Sequence, residues 1–383
     1  MSIKSELLLA KFAELSKDPL ETAKKECEGK GVIAVSGMYL PEELIHAAGF
    51  MPIVLLEQNE PVAAANAHVQ PFMCGYVRSL MDQAIEKKLS FTKAVFVKDC
   101  CHELRMIGDL VRHTQGDKVN IEFFFFPVTI KAEASKKFIA EEIQNMKERV
   151  EKYLGKKIEE EAIAESIKVF NRFRLAMQEL YAIRRNAPGC ISEMALRDVV
   201  RAVMSIPKEK ATDMVLELNE ALKAELADGT IKAKKGPKLI ISGSLCESLE
   251  PAVIKAVESA GGVIADDDLY VGGRYFNTLV DEGEDPMTAL TQAYIYRNGP
   301  CCTQTDPDNR NGFYLKQLAE NAGAKGIITV VIKFCEAHYF GNLADVNDLK
   351  ANFKGKVFSV FTDHDTDSEG QIATRVQSFI ENL

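Results

Sequence analysis

The chain has 383 residues, 46% of them hydrophobic and 27% charged, with a formal net charge of -9. That length exceeds one ordinary core and predicts two domains of roughly 150 residues with a helical insert, while the acidic balance speaks against a nucleic-acid or anionic-membrane surface. No run approaches the roughly 18 apolar residues of a membrane span, and the nine cysteines of a chain expected in the reducing cytoplasm imply no disulfide framework, which leaves metal or redox chemistry as the alternative.

The opening MSIKSELLLAKFAELSKD interleaves Lys and Glu with Leu at helical spacing, an amphipathic helix and not a signal peptide. GVIAVSG (31–37) reads as a strand, PEELIHAAG (41–49) as a helix opened by Pro41 and closed by Gly49, and MPIVLL (51–56) as a second strand. A helix CGYVRSLMDQAIEKK (74–88), a strand KAVFVKD (93–99), a helix HELRMIGDLVRH (102–113) and a strand IEFFFFPV (121–128) follow. This alternation predicts an α/β domain with a largely parallel sheet over residues 1–131. Between 132 and 235 strand signals fade, and stretches such as KKFIAEEIQNMKERVEKYLG and ATDMVLELNEALKAELADG carry apolar residues at three- and four-residue spacing, the pattern of packed helices. From 236 to 383, KLIISG, PAVIKAVESAGG, VIADDD, AKGIITVVIK, KVFSVFTD and EGQIATRVQSFIENL predict a second α/β domain, so that the two halves could be distant copies of one plan.

Familiar nucleotide signatures are missing: SGSLCES after KLIISG is neither GxGxxG nor a P-loop. The cysteines carry more information. Ligands of open parallel sheets gather beyond the carboxyl ends of the strands, where Cys100 and Cys101 follow KAVFVKD and Cys335 follows GIITVVIK, and Cys74 opens a predicted helix. Each position lies at or just before a helix N-terminus, whose free N–H groups and dipole favour a thiolate. The spacing lacks the CxxC or HxxxH pairs of structural zinc. Three separated thiolates drawn from two domains can instead converge in the cleft between them and hold three corners of an iron–sulfur cube, leaving one iron open.

The remaining candidates have plainer readings. Cys27, Cys190 and Cys246 read as core thiols, since free Cys is among the most buried residue types. His102 and His338 read as polar residues that cap helices or face the cleft. Phe123 to Phe126 reads as a buried strand, and the acidic run ADDD (265–268) as a strand end with solvated caps.

The chain resembles the smaller, beta-type subunit of the 2-hydroxyacyl-CoA dehydratases, relatives of the ATP-dependent benzoyl-CoA reductases. The carriers are YLPEELIHAAGFMPI (39–53), PFMCGYVRS (71–79), CHELR (101–105), VIADDDLYVGGRYF (263–276), IKFCEAH (332–338) and QIATRVQSFIENL (371–383). The resemblance implies two Rossmann-like or flavodoxin-like α/β domains and a [4Fe-4S] cluster held between them by Cys74, Cys101 and Cys335. Cys101 is the implied ligand of its pair because it directly precedes the HELR of the family pattern, with Cys100 its packed neighbour. Two positions depart from that pattern: Glu336-Ala337-His338-Tyr339 stands where the beta subunits carry Asp-Pro-Glu-Glu, and Cys301–Cys302 is a tandem where one Cys is commoner.

The implied activity is radical syn-elimination of water from an (R)-2-hydroxyacyl-CoA thioester to a 2-enoyl-CoA. The proton lost from C3 is not acidic, and one electron placed on the thioester carbonyl, giving a ketyl radical, makes it so before returning to the cluster. The implied partners are a larger homologous alpha subunit in a heterodimer and a separate ATP-dependent iron–sulfur activator. Other readings are a benzoyl-CoA reductase-like subunit, a homodimeric reductase with a double-cubane cluster to which Cys301 and Cys302 contribute, and a non-catalytic electron-relay subunit.

Overall fold

A computed structural model describes residues 1–37, 39–116, 119–243, 247, 249–297, 300–304, 310–364 and 369–383. Helices α1 (Ile3–Ser16) and α2 (Pro19–Glu26) lead into β1 (Val32–Ser36), α3 (Glu42–Ala47), β2 (Met51–Val54), a 3-10 turn (Ala64–Ala67), α4 (Gly75–Ile85), β3 (Thr92–Asp99), α5 (His102–Gln115) and β4 (Ile121–Phe125). The four strands form one sheet in the order β2-β1-β3-β4, parallel throughout. Every residue of β1, Val-Ile-Ala-Val-Ser, is buried, as a central strand covered by helices on both faces requires. Each large apolar side chain so buried contributes about 1.5–3 kcal/mol.

Four helices follow: α6 (Glu133–Leu154), α7 (Glu160–Asn186), α8 (Glu193–Val203) and α9 (Lys208–Ala227). They are locked to the first sheet by buried charge. Glu43, at the start of α3, bonds to Arg174 on α7, and the ammonium of Lys208 lies 3.6 Å from Glu42. Unpaired charges there would cost several kcal/mol, so the pairs fix how α3 meets the helices.

The chain then builds β5 (Lys238–Gly243), α10 (Pro251–Ser259), β6 (Val263–Leu269), α11 (Gly273–Phe276), α12 (Pro286–Arg297), α13 (Asn311–Ala322), β7 (Gly326–Ile332), α14 (Glu336–Asn352), β8 (Lys356–Thr362) and α15 (Glu369–Glu381). Its sheet is also parallel, in the order β6-β5-β7-β8. The protein is therefore a mixed α/β chain of two four-stranded parallel sheets of one order, consistent with two Rossmann-like or flavodoxin-like domains.

Two local expectations are corrected. The phenylalanines of β4 do not form a uniformly buried strand: Phe124 is buried, whereas Phe125 is 43% exposed, because β4 is the last strand of its sheet. The aspartates of ADDD are not solvated. Asp266, Asp267 and Asp268 are all buried, and each pairs with an arginine: Arg185, Arg184 and Arg274 respectively, at 2.6 Å in each case. A carboxylate taken out of water needs such a cation, and Asp267 also accepts the backbone N–H of Gly273 at 2.8 Å.

Candidate metal centre

In this strand order the chain runs outward in opposite directions from β1 and β3, and from β5 and β7, so each sheet has its ligand-binding crevice at the carboxyl ends of those pairs. The two sets of carboxyl ends face each other. Tyr39, after β1, donates its hydroxyl to the carbonyl of Tyr270, after β6, at 3.3 Å. Arg78 on α4 reaches Asp363, after β8, at 2.8 Å, and His364 Nδ1 lies 2.8 Å from the Glu57 carboxylate after β2. At the mouth of the second crevice Gly243 has φ +119°, and a Cβ there would meet the Val330 carbonyl at 2.1 Å. Only glycine fits so close an approach.

Three helices open onto this space, and each begins at a cysteine: Cys74 is the N-cap of α4, Cys101 of α5 and Cys335 of α14. Cys101 follows β3 and Cys335 follows β7, the equivalent strands of the two sheets. The Leu104 N–H donates to Cys101 Sγ at 3.4 Å. Phe334, immediately before Cys335, holds the left-handed conformation at φ +65°, a strained turn for a residue with a side chain.

The three thiols feel one another. Burial pushes Cys74 well above the ordinary thiol range, and the charges of Cys335 and Cys101 push it further, while the Val77 N–H opposes them. Cys335 is raised to about 12, first by burial; the His338 N–H opposes this, and Cys101, Glu103 and Cys301 add to it. Cys101 is raised by its hydrogen bond with Cys100, then by burial. Thiols in mutual repulsion ionise together only around a cationic centre, while the helix amides beside them favour the ionised form. The donor set thus fits a cationic group with several binding corners. Among the described residues no three His, Cys, Asp or Glu side chains stand close enough to hold one metal ion. A cube whose irons take one thiolate each needs wider separation than one ion does.

Cys301 and Cys302 lie on the same side. Tyr270 donates its hydroxyl to Cys301 Sγ at 3.6 Å and stands 4.0 Å from Cys302 Sγ, and Thr303 Oγ1 is 3.1 Å from Cys301 Sγ. The hydrogen bond with Cys302, together with the cations of Lys98 and Arg274, outweighs burial and holds Cys301 well below the thiol range. Cys302 is raised correspondingly, and the charge of Cys335 contributes to that. A cavity of about 400 Å³ between α13 and α14 opens on the pair. Another, of about 520 Å³, lies behind β6 against α7 and α13 and contains no thiol.

His338 is buried against Gly243, with no hydrogen-bond partner for its Nδ1. Burial and the nearby Arg274 lower its pKa to about 4, so the ring is neutral. His102 is exposed at the first position of α5. Cys190 is buried between α7 and α8, and Cys27 is half-buried at the end of α2; Cys246 lies outside the described residues. Sequence reasoning missed the groups that surround the thiols: Lys98, Tyr270 and Arg274. The signal available was the acidic run of β6, whose burial demands cations nearby. Arg274 answers it with two bonds to Asp268, at 2.8 and 2.6 Å, and lies 4.4 Å from the Tyr270 ring centroid.

The chain is similar to subunits of known dehydratases and of a reductase. The (R)-phenyllactyl-CoA dehydratase beta subunit of Clostridium sporogenes is 27% identical over 97% of this chain and 99% of its own length. The lactoyl-CoA dehydratase subunit beta of Anaerotignum propionicum is 27% identical over 99% of both chains. A benzoyl-CoA reductase subunit of Thauera aromatica is 26% identical over 80% of this chain and 78% of its own. The profile of the 2-hydroxyglutaryl-CoA dehydratase, D-component family matches residues 37–383. Since that match covers all but the first 36 residues of the chain, the chain belongs to the 2-hydroxyglutaryl-CoA dehydratase D-component family.

Proposed function

We propose that the chain is the iron–sulfur subunit of a cytoplasmic (R)-2-hydroxyacyl-CoA dehydratase, a hydro-lyase, with Cys74, Cys101 and Cys335 holding a [4Fe-4S] cluster beside an acyl-CoA thioester. The observation that supports this reading is that three cysteines at helix N-termini, from both halves of the chain, lie near enough for the charges of Cys335 and Cys101 to act on Cys74. Held by these three thiols, a bound cluster would supply one-electron chemistry at low potential to the thioester. The chain's own residues have simpler tasks. Leu104, Val77 and His338 turn backbone N–H groups toward the sulfurs, favouring the ionised thiolates. Tyr39–Tyr270, Arg78–Asp363 and His364–Glu57 tie the facing strand ends together. The substrate pocket is completed by the larger homologous subunit, and an ATP-dependent activator delivers the electron, in keeping with the missing P-loop.

The test is electron counting. With the anaerobically purified two-subunit enzyme, sub-stoichiometric activator, limited ATP and reductant, and a panel of (R)-2-hydroxyacyl-CoA thioesters, enoyl-CoA should form in large excess over the electrons supplied. Product locked one-to-one to electrons, with a saturated or ring-reduced thioester, overturns the dehydratase.

A second reading, a reductase with a larger double cluster, has one observation in its favour. Cys301 and Cys302 lie in the segment between α12 and α13, the helix leading into β7, whereas Cys74 directly precedes α4, the helix leading into β3. Further thiols thus stand near the Cys74, Cys101 and Cys335 set, and the charge of Cys335 reaches Cys302. Iron and sulfide counts on the anaerobic protein separate the two: about four irons per chain favours the dehydratase and about eight the double cluster.

A further inference from the structure

Helices α5 and α14 hold the same place in the two halves. Each follows the third strand of its sheet and begins at a cysteine. Their outer faces are opposite in character. The exposed positions of α5 are His102, Arg105, Asp109, Arg112 and His113, a solvated face. On α14 the exposed positions include Tyr339, Phe340 and Leu343, at 56%, 70% and 62% exposure, with Phe334 at 44% just before the helix. The Tyr339 ring lies 6.0 Å from Phe340 and 5.9 Å from Phe361, which belongs to the edge strand β8. The apolar stripe therefore continues from the helix onto the outermost strand of the sheet.

Large side chains of about 150–250 Å² each, a little over half exposed, make a patch on the order of 400–500 Å². That is at the upper end of what a monomer carries and about half of the roughly 800 Å² per partner in a standard stable interface. The face is a convex helix beside a strand edge and not a groove, so it suits a folded partner better than an extended peptide. Glu336, exposed in the first turn of the same helix, opposes an anionic lipid surface. Phe334 and Cys335 are adjacent in the chain, so a body lying on this face also closes the thiol space from the α14 side.

We infer that the α14 face, Phe334, Tyr339, Phe340 and Leu343 with Phe361, docks a second subunit of the same two-sheet architecture, the larger homologue. The inference rests on the dehydratase reading for the identity of that partner. An apolar seat explains why α14 exposes Tyr339, Phe340 and Leu343 beside its polar residues while the exposed positions of the equivalent α5 are all polar. It also places the partner where it excludes water from Cys335.

The test uses the full chain co-expressed anaerobically with the larger homologous subunit and followed by sedimentation velocity. Phe340→Asp with Leu343→Asp should weaken the complex by about 100-fold or more, as loss of central aromatic and aliphatic anchors does. The isolated variant should keep the melting temperature of the isolated wild-type chain. Phe340→Ser is the milder variant should the double one fail to fold, and His113→Asp on α5 should leave the complex unchanged. Unchanged affinity in both α14 variants overturns the inference, as does a wild-type chain that pairs with itself through this face and leaves the larger subunit unbound. Loss of the complex in the variants, with a wild-type complex that dehydrates none of the thioesters, supports the docking face while the functional reading fails.

Discussion

The two sheets share a strand order and a thiol after the third strand, yet they secure those thiols differently. In the first half the edge strand β4 is capped by α6: Glu142 accepts the Phe125 N–H at 3.2 Å, and Arg149 donates to the Phe123 carbonyl. Its other edge strand, β2, is the apolar Met-Pro-Ile-Val. In the second half the equivalent strand β6 carries three buried aspartates matched by three arginines, and α14 beside the other edge leaves aromatic side chains in solvent. The first half is finished by its own chain. The second is held by internal charge and left unfinished on one face, so one plan can serve as scaffold in one copy and as docking element in the other.

The largest expected effect tests whether the equivalent thiols act as one set. If Cys74, Cys101 and Cys335 are three corners of one site, Cys101→Ala and Cys335→Ala should each remove nearly all iron and the brown colour from anaerobically purified protein, although they lie in different halves. Cys27→Ala and Cys190→Ala, whose thiols lie away from the strand ends, should keep both. Full iron in Cys101→Ala with loss in Cys100→Ala would assign the ligand to the other member of that pair.

The next effect separates the apolar from the charged way of holding an edge strand. Asp267 takes bonds from Arg184 and from the Leu269 and Gly273 N–H groups, and Arg184 is itself fully buried against Glu193. Asp267→Ala leaves that guanidinium short of charge and should cost about 3–5 kcal/mol. The conservative Met51→Leu in β2, whose side chain is buried without charge, should cost less than about 1.5 kcal/mol. Chemical denaturation of the apoprotein measures both, and equal losses would erase the distinction between the halves.

Most of this architecture was legible because parallel strands buried on both faces read as short unbroken apolar runs, as in Val32–Ser36 and Gly326–Ile332. The helices α12 and α13 were not. The buried face of α13 is Gly312, Leu315, Ala319 and Ala322, mostly small residues whose periodicity is faint. The cysteines at strand ends could be found from topology alone. Lys98 and Tyr270 could not, since their nearness to the thiols depends on how the two sheets face each other, and Arg274 could be found only by taking the acidic run of β6 as buried. The aspartates of β6 look like solvated residues in any local window and become core residues only once α7 supplies Arg184 and Arg185.

The smallest effect lies at the seam between the halves, where Glu57 meets Glu247, Glu250 and His364. The Glu57 N–H donates to Glu247, whose carboxylate also binds Arg201 at 2.7 Å. Glu250 lacks such a bond as the N-cap of α10. Burial, then the charge of Glu57, raises its carboxyl from 4.5 to about 7, against the pull of Arg197 and His364. A carboxyl whose folded pKa lies above its unfolded one holds its proton more tightly when folded. It therefore costs nothing below the unfolded value and becomes destabilising as pH rises through the folded value. Glu250→Gln removes that charge. Variant and wild type should melt alike near pH 5, and the variant should be more stable by about 1–2 kcal/mol near pH 8, the shift being discounted for the partly exposed carboxyl. Melting curves of the apoprotein across that range decide it. A gain larger at low pH than at high, or none at either, would mean that Glu250 keeps its charge at the seam, and that the two halves meet through a fully ionised network.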